Sequence, residues 1–273
     1  MGDHSNEMLH TRYSCSLVVG IILLFMGSAP YAYSAEPNKG LPILVYHRFG
    51  PSADTSMTVS TGVFVKQLQD LRDHGYSFIS LRQGLAYLQG KAGLSNPQSV
   101  IITADDDHHS IYTDMFPLIK AYRIPVTLFV YPSAISNASY AMTWSELREM
   151  QRSGLVEIQS HTYWHPNFKR ERRQLNERAY TEMVTMQLVK SKAVLEHQLN
   201  EKMDMLAWPY GIHDEELEGR AQAAGYIAAF TLERRPATAS DNILALPRYL
   251  MTDRDSGSAF DRLLLGDHAS PPH

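Results

Sequence analysis

The sequence predicts an α/β protein, a distorted (β/α) barrel of about seven parallel strands, built as one domain over residues 36–273. Two observations carry that prediction. From residue 41 onward, short runs rich in Val, Ile, Leu and aromatic residues alternate with stretches of helical periodicity, the pattern of a parallel sheet covered by helices. The alternation repeats roughly seven or eight times without a linker, low-complexity tract or internal repeat, which favours a closed or nearly closed barrel over an open sheet.

Strands are expected at residues 43–47, 78–79, 100–103, 126–131, 156–160, 205–208, 227–231 and 246–251. Helices are expected between them. Residues 64–74 place Phe64, Val65, Leu68 and Leu71 at helical spacing, and Gly75 follows as a stop. Residues 110–122 come next, then 144–152, where Thr143 and Glu146 resemble a capping box and Gly154 ends the helix. Residues 175–199, 214–224 (closed by Gly225) and 258–264 complete the set.

The first 35 residues read as a signal peptide or an N-terminal membrane anchor. The apolar run at 17–26 follows Arg12 and precedes small residues, and it is shorter than the ~20 residues a membrane helix needs. Asp3 and Glu7 offset the positive charge, which keeps the anchor reading open. An exported chain, periplasmic, cell-surface or secreted, is expected. Cys15, the only cysteine, lies upstream of the apolar run, so a mature chain would have neither disulfides nor a cysteine nucleophile. The formal net charge is −4 and no basic block exists, so no nucleic-acid partner is expected.

Polar clusters follow the strands, where barrels of this kind carry their reactive groups. Thr103-Ala104-Asp105-Asp106-Asp107-His108-His109 crowds three carboxylates at a strand end. Alone, it reads equally as a solvated acidic turn; a cation or hydrogen-bond donors would offset its repulsion. His161-Thr162-Tyr163-Trp164-His165, stopped by Pro166, allows two imidazoles to face one ion. Leu206-Ala207-Trp208-Pro209-Tyr210-Gly211 ends another strand in a tight turn, ordinary by itself, that would aim the Tyr210 N–H at a developing oxyanion. One carboxylate and two imidazoles from adjacent strand ends form the open three-ligand arrangement of catalytic zinc sites, with a second carboxylate nearby to take a proton from water.

With these motifs in this order, residues 41–252 resemble the NodB-type polysaccharide deacetylases, carbohydrate esterase family 4. Tyr46-His47-Arg48-Phe49 and the Trp-Pro-Tyr-Gly form of the third motif are most similar to the deacetylases of exported poly-N-acetylglucosamine. The resemblance implies Asp105 as general base, Asp106, His161 and His165 as ligands of Zn2+ (or Co2+ or Ni2+), and Tyr210 as oxyanion donor. It also implies an acetylated polysaccharide as substrate, with membrane association through the N-terminal segment and exopolysaccharide export or synthesis proteins as partners. The chain departs from the family where Asp107 replaces a usual Gly, Ala104 a usual Phe, and Ala207 the Arg that braces the base. Arg248 is a candidate to supply that guanidinium. The family's late Leu-x-His acid is also missing, and His47 is its best substitute, with His108 and His109 as rivals. Trp164, Trp208 and Tyr163 would stack on sugar faces or simply pack the barrel. Three other readings stay open: an O-acetyl polysaccharide esterase, a small-molecule amidase, and a silent carbohydrate-binding homologue spoiled by Asp107.

Overall fold

The computed structural model describes residues 40–265. The expected leader with Cys15, and His268 and His273 of the tail, lie outside them. No helix among the described residues is long and apolar enough to cross a membrane.

The chain opens with β1 (Ile43–Tyr46), then the short parallel pair β2 (Arg48–Gly50) and β3 (Thr58–Ser60). α1 (Thr61–Asp73) starts where the Ser60 side chain accepts from the Val63 N–H, and it buries Phe64, Leu68 and Leu71. β4 (Ser77–Phe78) leads into α2 (Leu81–Leu88), β5 (Ser99–Asp105) and α3 (Phe116–Tyr122), the last preceded by a wider helical turn at Ile111–Met115. β6 (Val126–Val130), α4 (Trp144–Arg152), β7 (Val156–Ser160), α5 (Phe168–Gln174) and α6 (Glu177–Leu199) follow. β8 (Met205–Ala207), α7 (Glu215–Ala223), β9 (Ala228–Phe230), β10 (Tyr249–Leu250) and α8 (Ser258–Leu265) end the fold.

Seven parallel strands run in the order β10-β1-β5-β6-β7-β8-β9, with β4 paired to the start of β5. The sheet curls into the expected distorted barrel. A single parallel bridge, Phe230 to Leu246, links β9 to the segment that leads into β10.

Strand alternation divides the side chains into two layers. Ile43, Ile101, Phe129, Met205, Ala207 and Phe230 pack inside the barrel. Leu44, Ile102, Leu128 and Ile158 face outward under α1, α3 and α4, while α6 and α7 pack against Leu206, Trp208 and Ala229. The short pair β2 and β3 and the helix α5 are additions to the expected elements, and two further stretches depart from the sequence expectation. The apolar pattern does not reveal α2, which contributes Leu81, Leu85 and Leu88 to the inner core. Its Gly84 lies so close to the barrel that a Cβ would sit 2.3 Å from Ile101 Cδ1. The strand expected at 246–251 shrinks to Tyr249–Leu250, because Pro247 has no N–H to donate and Arg248 turns into the interior.

Candidate active site

The same alternation that builds the core sets the direction of the site residues. On β5, Ile101, Thr103 and Asp105 share the inward face; on β7, Glu157 and Gln159 precede His161 in the inward series; on β1, Ile43 and Val45 precede His47. Three strands therefore deliver Asp105, His161 and His47 to the upper mouth of the barrel.

Asp106 would face the helices by this rule. Its φ of 72° turns the backbone instead, an uncommon conformation that Asp tolerates better than most residues. Its Oδ1 comes to 3.7 Å from both His161 Nε2 and His165 Nε2. The three ligand atoms lie within 4.8 Å of one another. Asp106 Oδ1 is buried with no hydrogen-bond partner. An acceptor-only oxygen left bare beside two imidazole nitrogens fits a cation, because a lone buried carboxylate is otherwise unfavourable.

The imidazoles are prepared for that task. His161 Nδ1 lies 2.8 Å from the Ala207 carbonyl and donates to it, which leaves the Nε2 lone pair facing Asp106. Burial lowers the pKa of His161 to about 3, and burial also lowers that of His165, so both rings stay neutral and able to ligate. Burial raises the pKa of Asp106, with the nearby Asp105 adding to the effect. A bound cation would reverse that.

The loop carrying the imidazoles is unusual. Thr162 and His165 have φ of 67° and 61°, and such strain persists only where neighbours over-determine it. Buried Gln187 of α6 supplies much of the constraint, its Oε1 accepting from the N–H groups of Tyr163 and Trp164 at 3.1 and 3.0 Å. One turn along α6, Ser191 bonds Ser160 Oγ, which itself accepts from the Thr162 N–H. Sequence reasoning missed Gln187. Its signal was a polar residue at a core position of an otherwise apolar helix face, between Val184 and Leu188.

Arg248 lies directly before β10, and its side chain rises inside the barrel between the Phe129 and Phe230 rings. Its Nη1 and Nη2 donate to the two oxygens of Asp105 at 2.8 and 2.6 Å, Nη1 also to Thr103 Oγ1, and Nε to the Thr231 carbonyl. Burial alone would raise the pKa of Asp105, but the charge and hydrogen bonds of the Arg248 guanidinium outweigh it and hold the carboxyl below its usual range. The fork is bidentate and fully buried, the strong form of such pairs. Ala207, where the family carries its Arg, is buried on the inner face.

His47 is buried at the end of β1, its Nδ1 without a partner. Burial lowers its pKa, opposed by the charges of Asp105 and Asp106. The Tyr210 ring packs edge-on to His165 at 4.6 Å between centroids, and its backbone takes φ 57° in the turn. Gly211, with φ +66°, leaves no room for a Cβ, which would lie 2.9 Å from the Leu232 nitrogen.

Asp107 is not among the ligand atoms. Its Oδ1 accepts from the Tyr131 N–H at 3.1 Å, and burial together with the charge of Asp106 pushes its pKa well up, toward the neutral acid. The left-handed turn falls on Asp106, so position 107 does not need a glycine's freedom. Of the rival histidines, His108 bonds Ser110 Oγ and His109 pairs with Glu146. Trp208 is removed from any sugar-stacking role: it is fully buried and donates to the Leu244 carbonyl.

The family model described as polysaccharide deacetylase matches residues 93–229. The poly-beta-1,6-N-acetyl-D-glucosamine N-deacetylase of Staphylococcus aureus is 28% identical over 211 residues, which span 76% of this chain and 71% of the relative. Among solved structures, IcaB from Ammonifex degensii superposes with a TM-score of 0.69 at 27% identity, covering 80% of this chain and 94% of that one. The deacetylase PplD of Streptococcus pyogenes, solved with acetate, has a TM-score of 0.73 at 24% identity, covering 82% and 98%.

Proposed function

Because the chain belongs to the polysaccharide deacetylase family, we propose that it is a metal-dependent N-deacetylase of an N-acetylglucosamine polymer such as poly-β-1,6-N-acetylglucosamine. The observation that carries this reading is a pair of adjacent carboxylates with contrasting partners. Asp105 is held ionised by the Arg248 fork, while next to it Asp106 offers a bare oxygen to two neutral imidazoles. Adjacent groups tuned apart in this way take different roles.

Asp106, His161 and His165 would hold the cation, and their mixed nitrogen and oxygen donors suit Zn2+, with Co2+ or Ni2+ as alternatives. When bound, it would supply Lewis-acid polarisation of the acetyl carbonyl and of water. Asp105 accepts the proton of the attacking water, and Arg248 keeps it ionised and aimed. The Tyr210 backbone N–H steadies the oxyanion. His47 gives a proton to the departing nitrogen, which leaves as the free amine while acetate forms. Burial keeps the His47 ring below the ordinary imidazole range, so its donor form grows scarcer as pH rises and the rate falls on the alkaline side. Residues 1–35 serve as export signal or anchor and place the enzyme outside the cytoplasm, beside the proteins that make or export its polymer.

The test is acetate release from N-acetylglucosamine oligomers by the full chain, after chelation and again after zinc is restored. Release that follows the metal and is lost in Asp105→Asn supports the reading. A zinc-loaded protein that frees acetate only from O-acetylated polymers would overturn it in favour of an esterase.

A further inference from the structure

The segment between β6 and α4 folds beside the mouth of the barrel and borders an open, solvent-facing depression of about 390 Å³, within the volume range of small-ligand sites. His165 lines it, so the cavity adjoins the proposed cation set. Its walls are Tyr131, Tyr140 and Trp164, with Ser133 and Asn137 as polar groups.

This cavity is built rather than incidental. The Tyr131 and Tyr140 hydroxyls bond each other at 2.9 Å, and the Tyr140 ring lies 13° from parallel with His108. Backbone bonds tie the segment on both sides: the His109 N–H donates to the Tyr140 carbonyl, and the Ser133 N–H donates to the Tyr163 carbonyl. The Trp164 backbone is pinned in turn by Gln187. Yet Trp164 and Tyr140 remain 43% and 44% exposed. Two large aromatic side chains on tethered backbone, open to water around one cavity, form a rigid surface with an apolar face and polar edges, suited to the face of a sugar ring.

Resting on the deacetylase reading above, we propose that this cavity is the subsite for the sugar unit adjoining the one being deacetylated, with Trp164 as its stacking platform, and that it takes that unit in the N-acetylated form. The selectivity follows from the lining. No Asp, Glu, Lys or Arg lines the cavity, so a free glucosaminium would leave its hydration without a carboxylate to replace it. The cation at the neighbouring set would oppose it further. Asn137 and Ser133 can pair with a neutral acetamide and hydroxyls. Each deacetylation then makes the product unit a poorer neighbour, and the polymer is left partly acetylated, with its free amines spaced apart.

The experiment compares the N-acetylglucosamine monomer and pentamer on the zinc-loaded full chain and on Trp164→Ala, Tyr140→Ala and Trp164→Phe. The pentamer KM is expected to rise about tenfold in each alanine variant, as for a truncated aromatic anchor, and to recover largely in Trp164→Phe. Early products mapped by mass spectrometry should lack adjacent free amines. Acetate release with an unchanged pentamer KM in both alanine variants sinks the subsite and leaves the deacetylase reading standing. Adjacent amines in the early products sink the acetylated-neighbour requirement. If no oligomer releases acetate, yet the pentamer quenches tryptophan fluorescence and Tyr140→Ala weakens that quenching, the subsite stands and the deacetylase reading falls.

Discussion

The two ends of the barrel hold charged groups on the same strands and treat them in opposite ways. At the lower end, Arg82 pairs with Glu157 and Asp204, Lys202 adds to Asp204, and Gln159 Oε1 accepts from the N–H groups of Asp204 and Met205. At the upper end, the four buried side-chain atoms found without partners among the described residues belong to His47, Arg48, Asp106 and Asp107. Left-handed backbone falls on Asp106, Thr162, His165 and Tyr210 there, whereas Arg123 and Asn200 use it only to end helices. The lower end spends its polar groups on each other; the upper end keeps them bare. Strain and unmet polar capacity kept beside a rigid core fall at the end where the proposed cation and substrate would be held.

The largest expected effect comes from Arg248, the upper-end cation that is fully paired. Arg248→Met leaves Asp105 buried without its partner. Loss of one member of a buried pair costs about 3–5 kcal/mol. Denaturant unfolding should register that loss, and acetate release should drop by about a thousandfold or more as the base loses its ionised state and its aim. A variant with near-normal turnover would remove Asp105 from the chemistry.

Acidity should separate the two ends next. In the chelated protein His161 is neutral, with its pKa lowered by burial to about 3, while the unfolded chain takes up that proton near the ordinary imidazole value. Stability is therefore full above about pH 6.5 and falls by about 1.4 kcal/mol per pH unit as pH drops toward 3. Burial shifts His165 in the same direction. Zinc should flatten this fall, since ligation competes with protonation. A chelated protein equally stable at pH 7 and pH 4.5 would contradict the buried, neutral imidazoles.

Gln187 at the top and Gln159 at the bottom perform the same physical act, one side-chain oxygen accepting from two successive backbone N–H groups. Only Gln187 holds a loop that carries ligands. Gln187→Leu should weaken zinc binding by about 10–100-fold, the range for supporting partners of metal ligands, as measured by competition with a chromophoric chelator. Arg82→Ala at the lower end should cost only about 1 kcal/mol, because its guanidinium is half exposed, and zinc affinity should not change. Equal effects on zinc would erase the distinction between the ends.

How much of this was legible beforehand depends on whether a residue's role is set by its own strand. Asp105 ends β5 and Asp106 follows it, while His161 and His165 follow β7, and both strands were recognisable from their Val and Ile residues, so the pattern located them. Arg248 could be named only as a candidate, because its bond to Asp105 joins residues 143 apart and its own segment forms a strand of two residues. α2 was hidden by Gly84 and short length, although Ser80 and Gln83 carry its capping box. α5 was hidden because only Phe168 in it is buried, which leaves no apolar period to read. The inward turn of Asp106 was invisible, since a left-handed residue reverses the alternation from which side-chain direction is inferred.

That residue yields the smallest expected change in stability and the most discriminating one. Asp106→Gly removes a side chain from a backbone position at φ 72° and also removes the bare buried oxygen. If the upper end gives up stability for function, the chelated variant should be more stable than the parent by a few tenths to about 1 kcal/mol. Zinc binding and turnover should both vanish, since the remaining imidazoles lack their carboxylate partner. Glycine also raises the entropy of the unfolded chain, which opposes the gain, so a rise in melting temperature would mean that relief of strain and desolvation outweighs it. A fall instead would mean that relief of strain and desolvation is smaller than the entropy glycine adds to the unfolded chain, and the contrast between the two ends would then lie in geometry rather than in a sizeable store of free energy.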